Sequence, residues 1–157
     1  MPSMEANIIL QNDGDMERYE SSLVKFMESM ESNVCYERTI CDQLSLETID
    51  FKKNQLTYVM VVPKEFCNLL NTLHGGIIAS LCDVVSSNAV VLFTNDTKQS
   101  FSIDLSINYA TAAPLGQPIT IVSNVYKIGK KLVFTETTIS NTSGVCIAKG
   151  THNKYIR

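Results

Sequence analysis

The apolar positions of this chain follow two periods, and the switch between them marks out its elements. Across residues 77–93 they recur at helical spacing, in a run that is apolar but for a few small polar residues. At about 100° per residue, Ile77, Ile78, Leu81, Val84, Val85, Ala89 and Leu92 fall on one broad face. The other side carries Ala79, Asp83, Ser86, Ser87 and Val90, and Asp83 is the one charged residue of the segment. A face meant for water would carry Lys and Glu, so the pattern predicts a long helix covered on both sides. The turn His74-Gly75-Gly76 opens it.

Elsewhere the period is two. Residues 101–109 alternate, with Phe101, Ile103, Leu105, Ile107 and Tyr109 on one side and Ser102, Asp104, Ser106 and Asn108 on the other. Further strands are expected at 34–40, 46–51, 56–62 (stopped by Pro63), 119–128, 132–140 and 145–155. Polar turns at 128–131 and 141–144 join the last three as hairpins. Before them, residues 16–30 carry Tyr19, Leu23, Phe26, Met27 and Met30 as a helical stripe that packs on the body of the protein, with a capping loop at 11–15. One buried helix among antiparallel strands makes an α+β domain. Residues 1–33 form an N-terminal segment and residues 34–157 the main domain.

Composition narrows the class. The chain has 157 residues, 45% of them hydrophobic and 18% charged, enough for one real core. A net charge of −3 argues against nucleic acid as a partner. Ser, Asn and Asp interrupt the 77–93 run, so no membrane span is expected. The five cysteines are scattered with no CxxC pair, and His74 and His152 are the only histidines. No metal site is expected, and the cysteines read as small thiols of a reducing compartment. Cys82 has no His on its own face to activate it. The first fifteen residues hold no Lys or Arg, so no presequence is expected and the location is read as cytoplasmic. No GxSxG, GxGxxG or Walker-type loop occurs.

A carboxylate on an apolar helix is costly unless something pairs with it or uses it. Nine residues upstream of Asp83, the helix start offers free N–H groups and a positive dipole end. The two glycines there let a ligand approach the backbone. A carbonyl oxygen placed at that turn would be polarised for attack at its carbon. The two features lie roughly 13 Å apart along the axis, at about 1.5 Å per residue, and on opposite sides of the helix. One helix cannot aim both at one reacting centre. Two antiparallel helices about a two-fold axis could, which predicts a homodimer with shared sites.

Taken together, Asn68, His74-Gly75-Gly76, Asp83 and the strand at 101–109 resemble the hotdog-fold acyl-CoA thioesterases, over most of the chain from residue 56 to 155. The resemblance implies a hotdog fold, an antiparallel β-sheet wrapped around one long central helix. It implies hydrolysis of an acyl-CoA, of medium to long fatty chain or aromatic acid, with no cofactor because coenzyme A is part of the substrate. Gly75 would donate its N–H to the thioester oxygen. Asp83, from the facing subunit, would act as general base or as nucleophile. Asn68 would place water or thioester, and its other reading is a turn residue. His74 would hydrogen-bond near the thioester or serve as a cap. Ser102 would hold the water opposite Asp83.

Coenzyme A would lie along Tyr109, Ala110, Thr111, Ala112, Ala113 and Pro114, then Lys127, Ile128, Gly129, Lys130, Lys131 and Leu132, and at the tail near His152 and Tyr155. The lysines suit phosphate. At Tyr155 a member of the family carries His, so the adenine end would be held differently. The resemblance also implies a tetramer, as a dimer of dimers. Two other functions stay open: a non-catalytic acyl-CoA-binding or interaction protein, and another hotdog enzyme such as an enoyl-thioester hydratase.

Overall fold

The computed structural model describes residues 7–10, 12, 14–31, 35–94 and 100–157. Its centre is the helix that the apolar run predicts. Helix α3, Gly75–Thr94, starts at the His-Gly-Gly turn and buries Leu81, Val85 and Ala89 completely. By length and apolarity it could cross a membrane, but here it is the core helix. Strands β1 (Asn7–Ile9), β2 (Ser45–Asp50), β3 (Gln55–Val61), β4 (Ser100–Tyr109), β5 (Pro118–Ile128), β6 (Leu132–Asn141) and β7 (Cys146–Ile156) form one sheet. Its order is β1-β2-β3-β5-β6-β7-β4, and α3 packs against β3 through β7. A sheet curled around one long helix is the hotdog arrangement.

Pairing is antiparallel except at β1, which lies parallel to β2. This strand is absent from the sequence reading, because three residues are too few to show a period. Helix α1, Gly14–Glu31, matches the expected N-terminal helix and packs on α3. Of its stripe, Tyr19 meets Phe51 edge to face at 6.5 Å, and Phe51 meets Phe93 at 5.6 Å. The side chains of Leu23, Phe26, Met27 and Met30 lie outside the described residues.

Three expectations need correction. The strand expected at 34–40 is replaced, over its described part, by the short helix α2, Tyr36–Cys41. Its one buried residue, Ile40, follows Tyr36 at helical spacing, and Arg38 pairs with Asp42 one turn on. Next, α3 is not covered all round by its own chain. Ser86 and Val90, assigned to the less apolar side, are fully buried, whereas Gly76, Ser80, Asp83 and Ser87 form a stripe open to solvent.

The third correction concerns β4. Ser102 pairs with Lys154, but Asp104 pairs with Asn153, so Ile103 is an extra, bulged residue. Residues opposite one another in an antiparallel pair share a face. The bulge therefore turns Ser102 to the side of Leu105, Ile107 and Tyr109, toward α3, where simple alternation pointed it away.

Candidate active site

Helix α3 begins under tight local control. Asn68 Oδ1 accepts the backbone N–H groups of Leu70 and Thr72 at 2.9 and 3.2 Å, and its Nδ2 donates to Thr72 Oγ1. Asn71 adopts the left-handed conformation the turn requires, with φ 55°. His74 then caps the helix: Gly76 N–H donates to its Nδ1 at 2.9 Å. A Cβ on Gly76 would sit 3.1 Å from that nitrogen, so glycine lets the ring fold over the helix end. With Nδ1 accepting, the proton of neutral His74 is on Nε2, facing out as a donor. Ile78 N–H closes the first helical bond to His74. The N–H groups of Gly75 and Ile77 have no acceptor among the described residues. Tyr109 lies across this end, its hydroxyl donating to Gly75 C=O at 3.1 Å.

Two turns further along, Asp83 stands at the edge of a buried polar network. Its side chain is 47% exposed, while His152, facing it from β7, is 1% exposed. Ser86 Oγ donates to the Asp83 carbonyl at 3.0 Å and lies 2.7 Å from His152 Nδ1. Since that hydroxyl proton is used, Nδ1–H must donate to Ser86. An unprotonated Nδ1 would also face Asp83 Oδ1, 3.6 Å away, lone pair to lone pair. His152 Nε2 is then an acceptor, and Ser102 donates its proton to it at 2.8 Å. The remaining lone pairs of Ser102 Oγ are left to accept.

Charges around the carboxylate come from β7, β4 and the helix itself. Burial pushes the His152 pKa down to about 4, Lys154 adds to the fall, and Asp83 and Asp104 oppose it. The ring is therefore neutral at pH 7, and its approach to Asp83 is not an ion pair. Lys154, 4% exposed, donates to Ser87 Oγ at 2.7 Å, and Ser87 donates to Asp83 Oδ1 at 3.4 Å. Burial lowers the Lys154 pKa, with Asp83 working against it. Cys82, next to Asp83, is pushed up to about 12 by burial and by that carboxylate, so it is a thiol and no nucleophile. On the carboxylate, Ser87 Oγ and His152 Nδ1 both approach Oδ1. Oδ2 has no hydrogen-bond partner among the described residues, on a side chain that is half-exposed.

Comparison with known proteins gives the family. The chain matches the Thioesterase superfamily over residues 70–148. It belongs to that superfamily. Human acyl-coenzyme A thioesterase 13 is 40% identical over 98 residues, covering 62% of this chain and 69% of the human protein. A putative esterase of Caenorhabditis elegans is 31% identical over 130 residues, covering 82% of this chain and 75% of the worm protein. Among solved structures, zebra fish thioesterase superfamily member 2 superposes with a TM-score of 0.75 at 27% identity, covering 85% of this chain and 94% of that one.

The superfamily match spans His74, Gly75, Asp83 and Ser102. Of these, the structure brings Asp83 and Ser102 to one network through His152, and places His74 and Gly75 at the helix start. Asn68 is occupied by its own loop, as its turn reading expects.

The coenzyme A stretches divide. Residues 110–114 lie beside the start of α3: Ala110 and Thr111 donate to Ile147, and Ala113, 1% exposed, accepts from Leu73. Lys127, Lys130, Lys131 and Leu132 are exposed in the β5–β6 hairpin, with Tyr155 paired to Leu132. Tyr109 pairs with Ala148 and Phe101 with Tyr155, at opposite ends of β7. Within one chain the two stretches are thus roughly 23 Å apart, at about 3.3 Å per residue. His152, placed by the sequence reading with the coenzyme A tail, is instead buried against Asp83, because its strand position points inward.

Sequence reasoning missed the roles of His152, Lys154, Ser86 and Ser87. A signal existed for two of them. His152 and Lys154 continue the inward register of Ala148 and Gly150, and polar residues in a core register call for partners. Tyr36 was also missed; its hydroxyl donates to Ser80 on the open stripe, since the Ser80 proton goes to Gly76 C=O. Among the described residues no three His, Cys, Asp or Glu side chains converge as a metal site.

Proposed function

We propose that this chain is an acyl-CoA thioesterase that hydrolyses medium- to long-chain fatty acyl-CoA, with Asp83 as the general base. One observation carries the reading: a half-exposed carboxylate, anchored through one oxygen and open at the other, on a helix otherwise built for the core. Water bound there donates one proton to Asp83 Oδ2 and the other to Ser102 Oγ, which leaves a lone pair aimed at the thioester carbon. Gly75 N–H, at the positive end of a helix, takes the charge that grows on the carbonyl oxygen. As the bond to water forms, its proton passes to Asp83. Collapse of the tetrahedral intermediate breaks the carbon–sulfur bond, and that proton goes to the departing coenzyme A sulfur. His74 Nε2–H is available to hydrogen-bond at the same place.

The reacting centre is completed by a second chain. Strand β4 is one of the sheet's two edges and exposes Phe101, Ile103, Leu105 and Tyr109. Pairing it with its own copy about a two-fold axis covers that edge and sets the open stripes of two α3 helices against each other. Residues 110–114 of one chain then approach the 127–132 hairpin of the other, which provides one continuous track for coenzyme A. Dimers pair further into tetramers.

The test is release of coenzyme A thiol from acyl-CoAs of graded length and from phenylacetyl-CoA. Turnover that rises with fatty chain length supports the reading. Preference for the aromatic substrate would correct the acyl group. Binding without release from any substrate would make the protein an acyl-CoA binder.

A further inference from the structure

Lys154 is a buried cation whose place the hydrolytic scheme does not explain. Lysine is almost never fully buried without a partner, yet here the residue is 4% exposed on the inward face of β7, two residues beyond His152. Its recorded acceptor among the described residues is Ser87 Oγ, which in turn donates to Asp83 Oδ1. The chain of donors runs one way, from ammonium to hydroxyl to carboxylate. It engages Oδ1 alone. Ser87 stands one helical turn beyond Asp83, so its hydroxyl reaches the carboxylate along the helix, and Lys154 fixes the direction in which that hydroxyl points.

From this geometry we infer that Lys154 is a positioning residue for Asp83: acting through Ser87, it locks one carboxylate oxygen and leaves the other for water. The inference rests on the role proposed for Asp83. Of the other titratable groups nearby, His152 from β7 is neutral and Cys82 on the same helix stays protonated, while Asp104 of β4, paired with Asn153 on the strand's other face, has the wrong sign. Lys154 also feels Asp83 electrostatically, which opposes the effect of burial on the ammonium. The two legs of the relay, 2.7 and 3.4 Å, put ammonium and carboxylate oxygen within about 6 Å of each other, close enough for opposite charges to attract.

The test uses Lys154→Met, which keeps the length of the side chain without its charge, and Ser87→Ala, which cuts the relay at a small, partly exposed residue. Crystal structures of wild type and both variants read the placing of the carboxylate without substrate, so they stand even if the protein proves not to hydrolyse acyl-CoA. Asp83 should hold one side-chain conformation in wild type and take up a second in Lys154→Met and in Ser87→Ala. In turnover, kcat should fall about tenfold in Lys154→Met with little change in KM. Addition of a short alkylamine should restore part of that loss. An Asp83 side chain that keeps its wild-type conformation in Ser87→Ala and in any folded Lys154→Met overturns the inference. It is equally overturned if both variants lose only stability, with kcat and KM unmoved.

Discussion

Acid should loosen this protein through His152 in particular. In an unfolded chain a histidine takes up its proton near pH 6.5. In the folded chain burial and Lys154 hold the ring neutral down to about pH 4. Between those values the unfolded state binds the extra proton, so stability falls as pH falls across the window and levels off below it. The interval corresponds to at most about 3 kcal/mol, against a total of roughly 5–15 kcal/mol for a domain of this kind. Carboxylates titrate over part of the same range, so the contribution is read as a difference. Urea unfolding of wild type and His152→Gln, from about pH 7 to about pH 4.5, separates the two, because glutamine can donate and accept but does not titrate. The variant should be less stable at neutral pH, and the gap should narrow as the wild type weakens. Parallel loss in both proteins, or an NMR titration of His152 near pH 6.5, would refute the reasoning.

Two further outcomes follow from the packing and the proposed dimer. A Cβ on Gly150 would lie 2.8 Å from Ile107 Cδ1, 2.9 Å from Cys82 Sγ and 3.2 Å from Cys82 Cβ. Gly150→Ala should therefore destabilise the fold by about 1–3 kcal/mol in chemical denaturation, with part recovered in combination with Cys82→Ala. Mixed dimers of Asp83→Asn with Gly75→Pro chains should regain activity that neither variant has alone, since one of their two sites would be intact. No recovery in verified mixed dimers would count against sites shared between chains.

What the sequence revealed, and what it hid, has a physical pattern. Helix α3 was legible because its seventeen-residue apolar run admits one period and a glycine turn fixes its start. Asp83 stood out for the same reason, as a lone charge where burial is costly. Strands β5 to β7 followed from alternation and clear hairpin turns. The misread stretch, α2, is six residues long, and so short a segment fits helix and strand equally well. At Ser102 the residue was legible but its direction was not. A bulge inserts one residue, and every side chain before it changes face. His152 and Lys154 were hidden differently. Alternation shows that a strand has two faces without saying which one meets the helix, and the partners that satisfy these two residues lie 66 and 67 positions away, at Ser86 and Ser87.

The central claim is that Asp83 activates water against a bound acyl-CoA. The most direct measurement is coenzyme A thiol release by wild type and Asp83→Asn on the same long-chain acyl-CoA, alongside binding of a non-hydrolysable analogue to both. Release by wild type, loss of at least about a hundredfold in the variant, and unchanged analogue binding are the predicted results. A variant that binds equally well and turns over at near the wild-type rate would contradict the account.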